Sequence, residues 1–391
     1  MQRPVINLQK NLREAIVAGH PWIYDRALRA PDDPLVPGEV VRVDDRRGPV
    51  CAGFIDPASP IRVRVLDLAP DAVIDDAWLR RRARDAAAHR ISDPRLAGAN
   101  AMRLVHGEND GLPGLVIDVY AGVAVVVFDG GAASEFWSPR LGAVLAGIGE
   151  AGVTIDRQVL RGSAGRRGER DAAPSDVVSI REHSARFEVD VARGQKTGFF
   201  LDQRDNRRLV GELAAGAEVL NLFGYTGGFS VHAGLGGAAR VCTVDLAAPA
   251  IAAARTNWAL NDLDPSIHEA VAADAFEFSE AAADAGRRWD VVICDPPSFA
   301  PSERARPQAL RAYRRINALA LALVAPKGRF FTASCSSHIS EADLLAVVGD
   351  AAARARRRVR VVEARGADRD HPILPAFPEG RYLSALLCAV D

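Results

Sequence analysis

Residues 219–230 read VLNLFGYTGGFS, and the fold follows from how this stretch is read. Val219 to Leu222 is short and apolar, as a buried strand is, and Gly224, Gly227 and Gly228 follow at once. Phe229 to Ala233 can then open a helix. A glycine turn between strand and helix brings backbone N–H groups close to a ligand. The spacing is Gly-x-x-Gly-Gly, not the G-x-G-x-x-G of dinucleotide sites. Three further apolar runs end in acidic residues: Arg240 to Val244 before Asp245, His268 to Ala273 before Asp274, and Trp289 to Cys294 before Asp295-Pro296-Pro297. Strands that each place a polar group at the carboxyl end predict a crevice along one edge of a parallel sheet. In that setting Asp245 suits a ribose diol.

Working outward, residues 202–214 are expected to be a helix. Ahead of it lies GQKTGFFLDQRDNRR (194–208), where Lys196, Asp202, Gln203 and Arg204 can point towards the crevice. Beyond Asp295, an arginine-rich helix is expected over 311–324, a fifth strand over 329–333 and an antiparallel strand over 383–390. This is a doubly wound α/β sheet. Upstream, alternating runs at 38–43 and 61–65 predict a small β-rich unit, and 77–90 an arginine-rich helix. Strands at 103–106, 115–120, 122–128 and 153–160, with a helix at 134–145, predict an α+β middle unit. The expected domains are 1–70, 77–188 and 189–391.

The chain has 391 residues, enough for two or three domains at roughly 150 each. No apolar run reaches the roughly 18 residues that span a bilayer, and the start lacks a signal-peptide core, so a cytoplasmic protein is expected. The five cysteines include no CxxC pair, which argues against zinc or a disulfide framework. The net charge of −1 supplies no global attraction for nucleic acid. Only Lys10, Lys196 and Lys327 are lysines, so nearly all positive charge is arginine, a pattern that composition bias also produces. Arg62 and Arg64 share one face of a strand, as a phosphate-facing row or a solvent face would. Arg166, Arg167 and Arg170 sit in a polar stretch at 162–176 that reads as a loop.

Two residues carry the chemistry. Asp295 precedes two prolines, so its backbone is extended and its carboxylate can face the crevice and bond the edge of a base. Cys335 ends the fifth strand between serines near a helix start, where a thiolate nucleophile is favoured. Alternation turns Cys294 away, and Cys51, Cys242 and Cys388 read as core.

NLFGYTGGF, the Val244-Asp245 pair, CDPPSF and SCS, with QKTGFFLDQRDNR ahead of them, resemble the bacterial 23S rRNA cytosine-5 methyltransferases of the RlmI (YccW) type over essentially the full length. The resemblance implies an N-terminal PUA-like RNA-binding β-barrel, a middle domain and a C-terminal Rossmann-like class I methyltransferase sheet. It implies S-adenosylmethionine held by Lys196, Phe200, Asp202, Gln203, Asn221, Phe223, Gly224, Thr226, Gly227, Asp245, Asp274 and Asp295. Cys335 would add to cytosine C6, with Asp295 between methyl donor and base. RNA would be the partner, touched by Arg62, Arg64, Arg166, Arg167, Phe299, Arg311 and Tyr313. No membrane and no metal are implied, and a homodimer is compatible. Phe299 comes one place later than the aromatic of amino-group methylases. A methyltransferase acting on guanine N7, and an RNA-binding assembly factor with a vestigial cofactor site, are the alternatives.

Overall fold

The computed structural model describes residues 3–29, 34–162, 174–300 and 302–391. Arg166, Arg167 and Arg170 lie outside these. The chain forms two compact units that interleave in sequence. One comprises residues 1–178, 189–201 and 369–380, and the other 179–188, 202–368 and 381–391.

The first unit holds two sheets. Strands β1 (Val5–Asn7), β2 (Trp22–Tyr24), β3 (Val40–Asp45), β4 (Gly48–Ile55) and β5 (Ile61–Asp67) pair in the order β1-β3-β4-β5-β2, with a short helix Arg13–Val17. They close over Ile6, Ile16, Ile23, Val41, Val43 and Val63. The second sheet, β6 (Ala101–His106), β7 (Leu115–Tyr120), β8 (Val123–Phe128) and β9 (Arg157–Arg161), runs in that order. The helix Asp76–Ile91 packs beside it, and Asp75 caps that helix by accepting the Trp78 N–H at 2.9 Å. The helix expected at 134–145 is two helices, Gly131–Trp137 and Leu141–Glu150, split by a 3₁₀ turn at Ser138–Arg140. Pro139 accounts for the break, since it cannot donate to the helical ladder. The strand expected from 153 begins only at Arg157.

A hairpin of β10 (Val177–Glu182) and β11 (Ala185–Asp190) comes next, so the boundary expected at 188 falls inside a strand.

The second unit is built on β12 (Glu218–Leu222), β13 (Arg240–Asp245), β14 (His268–Ala272), β15 (Trp289–Cys294), β16 (Val324–Ser334), β17 (Val359–Arg365) and β18 (Ser384–Val390). Their order is β14-β13-β12-β15-β16-β18-β17, and only β18 runs antiparallel to its neighbours. The doubly wound expectation holds, including the antiparallel last strand. Helices cover both faces. The face formed by Val219, Val241, Ile293 and Phe331 packs on the helices Arg204–Leu213 and Gly228–Leu235. The face formed by Leu220, Cys242, Cys294 and Phe330 packs on Arg306–Ala322 and Glu341–Ala355. The strand order reverses between β12 and β15, and at such a switch point the carboxyl ends open a crevice.

Candidate active site

The glycine turn after β12 is held in an unusual backbone conformation. Phe223 and Tyr225 have φ of 59° and 45°, and Gly227 has φ of 80°. Left-handed non-glycine residues are costly and persist only where neighbours enforce them. Here three ties do so: Gly224 N–H donates to Val244 O at 2.9 Å, Tyr225 N–H to Asp245 Oδ2 at 2.9 Å, and Asn257 Nδ2 to Thr226 O at 2.9 Å. A Cβ at Gly224 would lie 2.5 Å from Thr243 Cγ2, and one at Gly227 3.0 Å from the Ala254 Cβ. Both glycines are therefore fixed by space as well as by the turn.

Asp245 accepts a second backbone bond, from Ala247 N–H at 2.9 Å. Asp274 caps the helix Ala275–Asp284, taking the Phe276 N–H at 2.8 Å and the Glu277 N–H at 3.2 Å on Oδ1. Asn221 is buried beneath the turn. Its Nδ2 donates to Ser230 Oγ at 2.9 Å, and Ser230 continues to Thr243 at 2.6 Å. Asn221 thus braces the first turn of the helix Gly228–Leu235.

Asp295 and Cys335 stand at adjacent strand tips. The register pairs Ile293 with Phe331, which share the face of the helix Arg204–Leu213. Continuing the two-residue alternation puts Asp295 and Cys335 on that same face and Cys294 on the other. Cys294 is fully buried there, and burial, followed by the Asp295 charge, raises its pKa. Cys51, Cys242 and Cys388 are also buried, with burial the leading cause of thiol pKa values pushed up to about 12. Cys335 alone among the five cysteines is partly exposed.

The flanking serines explain its placement. Ser334 Oγ donates to the Tyr313 hydroxyl at 3.0 Å, and Ser336 Oγ to Ala300 O at 3.0 Å. Both tie the tip of β16 to the chain downstream of Asp295. Burial raises the Tyr313 pKa, and the Cys335 and Asp295 charges push it the same way. Tyr313 is fully buried, which sets it as a brace for the tip and not as an RNA contact. Rings line this edge: Phe223 to Phe276 at 6.5 Å, Phe276 to Phe299 at 6.5 Å and Phe299 to Tyr313 at 4.9 Å.

The segment ahead of the sheet divides between the units. Lys196 and Phe200 belong to the first, with the ammonium 4.7 Å from the ring centroid. In the second, Asp202 is buried and accepts the Tyr382 hydroxyl at 2.7 Å, and Arg204 is buried against Asp368 at 2.7 Å. Gln203 Nε2 donates to Asp295 Oδ2 at 2.9 Å. His338 lies 3.3 Å from Glu303. Arg64 departs from the phosphate-row expectation. It is buried, and its guanidinium meets Glu108 and, at 2.7 Å, Asp129. Arg62 bonds the Pro57 carbonyl, and Arg311 is exposed. The sequence does not single out Asn206, Asn257 or Arg365. Asn206 carries a signal, three residues after Gln203 on a helix, but Asn257 and Arg365 carry none.

The site fits S-adenosylmethionine. Thr226 Oγ1 and Asn221 Oδ1 are buried without a hydrogen-bond partner among the described residues, and two spatially fixed glycines form the cradle beside them. Asp245 and Asp274 would hold the ribose and adenine portions. Among the described residues no three His, Cys, Asp or Glu side chains group as a metal site would, and no helix is long and apolar enough to cross a membrane.

Comparison with known proteins agrees. Residues 165–379 match the S-adenosylmethionine-dependent methyltransferase family, and residues 6–68 match a PUA-like domain. A ribosomal RNA large subunit methyltransferase of Deinococcus radiodurans is 38% identical over 95% of this chain and 94% of its own length. Ribosomal RNA large subunit methyltransferase I of Cronobacter sakazakii is 34% identical over 98% of both. The crystal structure of SMU.776, solved with S-adenosylhomocysteine, superposes with a TM-score of 0.84 at 19% identity over all of both chains, which shows the shared fold. The chain therefore belongs to the S-adenosylmethionine-dependent methyltransferases of the ribosomal RNA large subunit methyltransferase I family, with an N-terminal PUA-like domain.

Proposed function

We propose that this protein methylates C5 of a cytosine in 23S rRNA, in the cytoplasm, through a covalent Cys335 adduct. The observation that carries the reading is the placement of Cys335 and Asp295 on one face of neighbouring strand tips, beside a cradle that fits the cofactor.

Carbon 5 of cytosine is too poor a nucleophile to be methylated directly. Addition of the Cys335 thiolate to C6 forms a C–S bond and moves the 5,6 π-electron pair towards C5, which becomes an enamine carbon. S-adenosylmethionine, when bound, would supply the electrophilic methyl that C5 accepts, the sulfonium–methyl bond breaking to leave S-adenosylhomocysteine. The C5 proton then leaves to a base. Its electron pair restores the 5,6 double bond as the C6–S bond breaks, and Cys335 returns as thiolate. Asp295 accepts from the exocyclic amine and so orients the ring. The target base must leave its stack to reach the slot. The PUA-like domain and exposed arginines such as Arg311 would hold backbone phosphates.

Nucleoside mass spectrometry of rRNA from a strain lacking the protein tests the reading. It is expected to show loss of one 5-methylcytidine, and loss of N7-methylguanosine instead overturns it. In vitro, Cys335→Ala is expected to lower methyl transfer by about a thousandfold while still binding S-adenosylmethionine. Full activity in that variant would remove the thiolate from the mechanism.

A further inference from the structure

Asp295 is held from behind by a chain of side chains whose direction is fixed. Arg365, the last residue of β17, donates from Nε to Asn206 Oδ1 at 2.7 Å. Asn206 donates from Nδ2 to Gln203 Oε1 at 2.6 Å, and Gln203 donates from Nε2 to Asp295 Oδ2 at 2.9 Å. Asn206 and Gln203 are both buried.

An amide can present either its oxygen or its nitrogen to a neighbour. A guanidinium settles which, because it has donors and no acceptor. Arg365 requires the Asn206 oxygen to face it. The Asn206 nitrogen must then face Gln203, so Gln203 turns its oxygen inward and its nitrogen to Asp295. Arg365 is anchored in turn by Asp205 and Glu363. Every amide in the line therefore has one orientation.

We propose that Gln203, Asn206 and Arg365 form a positioning relay that presents Asp295 to the target base as a hydrogen-bond acceptor. An acceptor at that point matches the amine of an amino-bearing pyrimidine and repels a carbonyl in its place, so the relay contributes to choosing cytosine over uracil. This rests on the assignment of Asp295 to the target base given above. It gives Gln203 a different role from the cofactor contact implied by its motif.

Asn206→Asp is the sharpest probe. It keeps the volume and still accepts from Arg365, but its carboxylate has no donor for Gln203, whose amide can then turn its oxygen on Asp295. Single-turnover transfer into 23S rRNA from a strain lacking the protein is expected to fall by about tenfold or more, the order of magnitude of a lost oriented hydrogen bond. S-adenosylhomocysteine affinity, read by calorimetry, should stay within about threefold and melting should hold, because the relay does not touch the cradle. The double variant Asn206→Asp/Gln203→Ala should be no slower than Gln203→Ala alone, since both remove one interaction. A near-wild-type rate for Asn206→Asp, losses that multiply in the double variant, or a Gln203→Ala defect confined to cofactor affinity would each overturn the relay.

A readout without RNA separates the two ideas. The Gln203 side-chain amide protons should exchange slowly in the wild type and fast in Asn206→Asp. Slow exchange together with a fully active Cys335→Ala enzyme would sink the cysteine mechanism and leave the relay standing. Fast exchange in the wild type would sink the relay alone.

Discussion

The core of the first unit and the crevice of the second treat carboxylates in opposite ways. In the first, carboxylates are consumed by guanidinium groups. Arg90 grips Asp110 with two bonds of 2.8 Å, and Arg103 grips Asp118 with bonds of 2.7 and 2.9 Å. Asp118 also takes the Thr197 hydroxyl, and Asp370 takes the Arg103 N–H and pairs with His371. At the crevice of the second unit, Asp245 and Asp274 accept backbone N–H groups. A neutral donor orients a carboxylate without cancelling its charge, whereas a bidentate arginine does both. Paired charges of the first kind hold a fold together. Carboxylates of the second kind keep a negative edge suited to ribose hydroxyls, amines and a sulfonium.

Breaking a pair in the first unit should therefore cost the most. Arg90 is fully buried and also donates to the carbonyls of Ala86 and Asp370. Arg90→Met leaves the Asp110 charge without its partner, and a loss of about 3–5 kcal/mol in stability is expected from urea unfolding. Asp245→Asn keeps an acceptor for only one of the two N–H groups, since Tyr225 and Ala247 bond different oxygens, and should cost about 1–2 kcal/mol. Equal losses would erase the distinction between the two regions.

A smaller effect sharpens the comparison on the ligand side. Gly224→Ala drives a methyl into Thr243 beneath the turn. The glycine cradle must shift to admit it, and S-adenosylhomocysteine should bind about tenfold more weakly by calorimetry. The ion pairs of the first unit lie outside this change. Unaltered affinity would show that the turn does not shape the cofactor site.

What the sequence revealed divides along the same line. The sheet, its crevice and the facing of Cys294 against Cys335 were legible, because strand alternation and the positions after each strand are local properties. Tyr313 was misplaced because an arginine-rich helix does not show in its composition which face packs inward, and Arg64 because of what covers its strand. Alternation shows which residues share a face, not what later covers it. The stacking of Phe54 on Phe136 and the arrival of Glu108 and Asp129 bury the face that carries Arg64. The relay was illegible because Arg365 stands 159 residues from Asn206, and no local pattern joins them. The helix break at Pro139 was legible in principle, since a proline cannot continue the ladder.

The smallest expected effect concerns a histidine behind the turn. His268 Nε2 lies 2.8 Å from the Thr243 hydroxyl, and its ring stacks on Trp258 at 4.2 Å. Burial, and then the nearby Arg255 charge, lower its pKa from 6.5 to about 4. Above pH 6.5 both folded and unfolded chains carry it neutral, and it adds no pH dependence. Between about 6.5 and 4 the unfolded chain takes up a proton that the folded chain refuses, so stability falls as the pH is lowered through that window. His268→Gln preserves a partner for Thr243 and removes the titration. Urea unfolding at pH 7.5 and 5.0 should show the wild type losing up to about 1 kcal/mol more than the variant, once solvent screening is allowed for. If both lose the same amount, His268 is protonated in the fold as readily as outside it. The hydrogen-bond line from Asn221 through Ser230 and Thr243 would then end on a charged ring, not a neutral one.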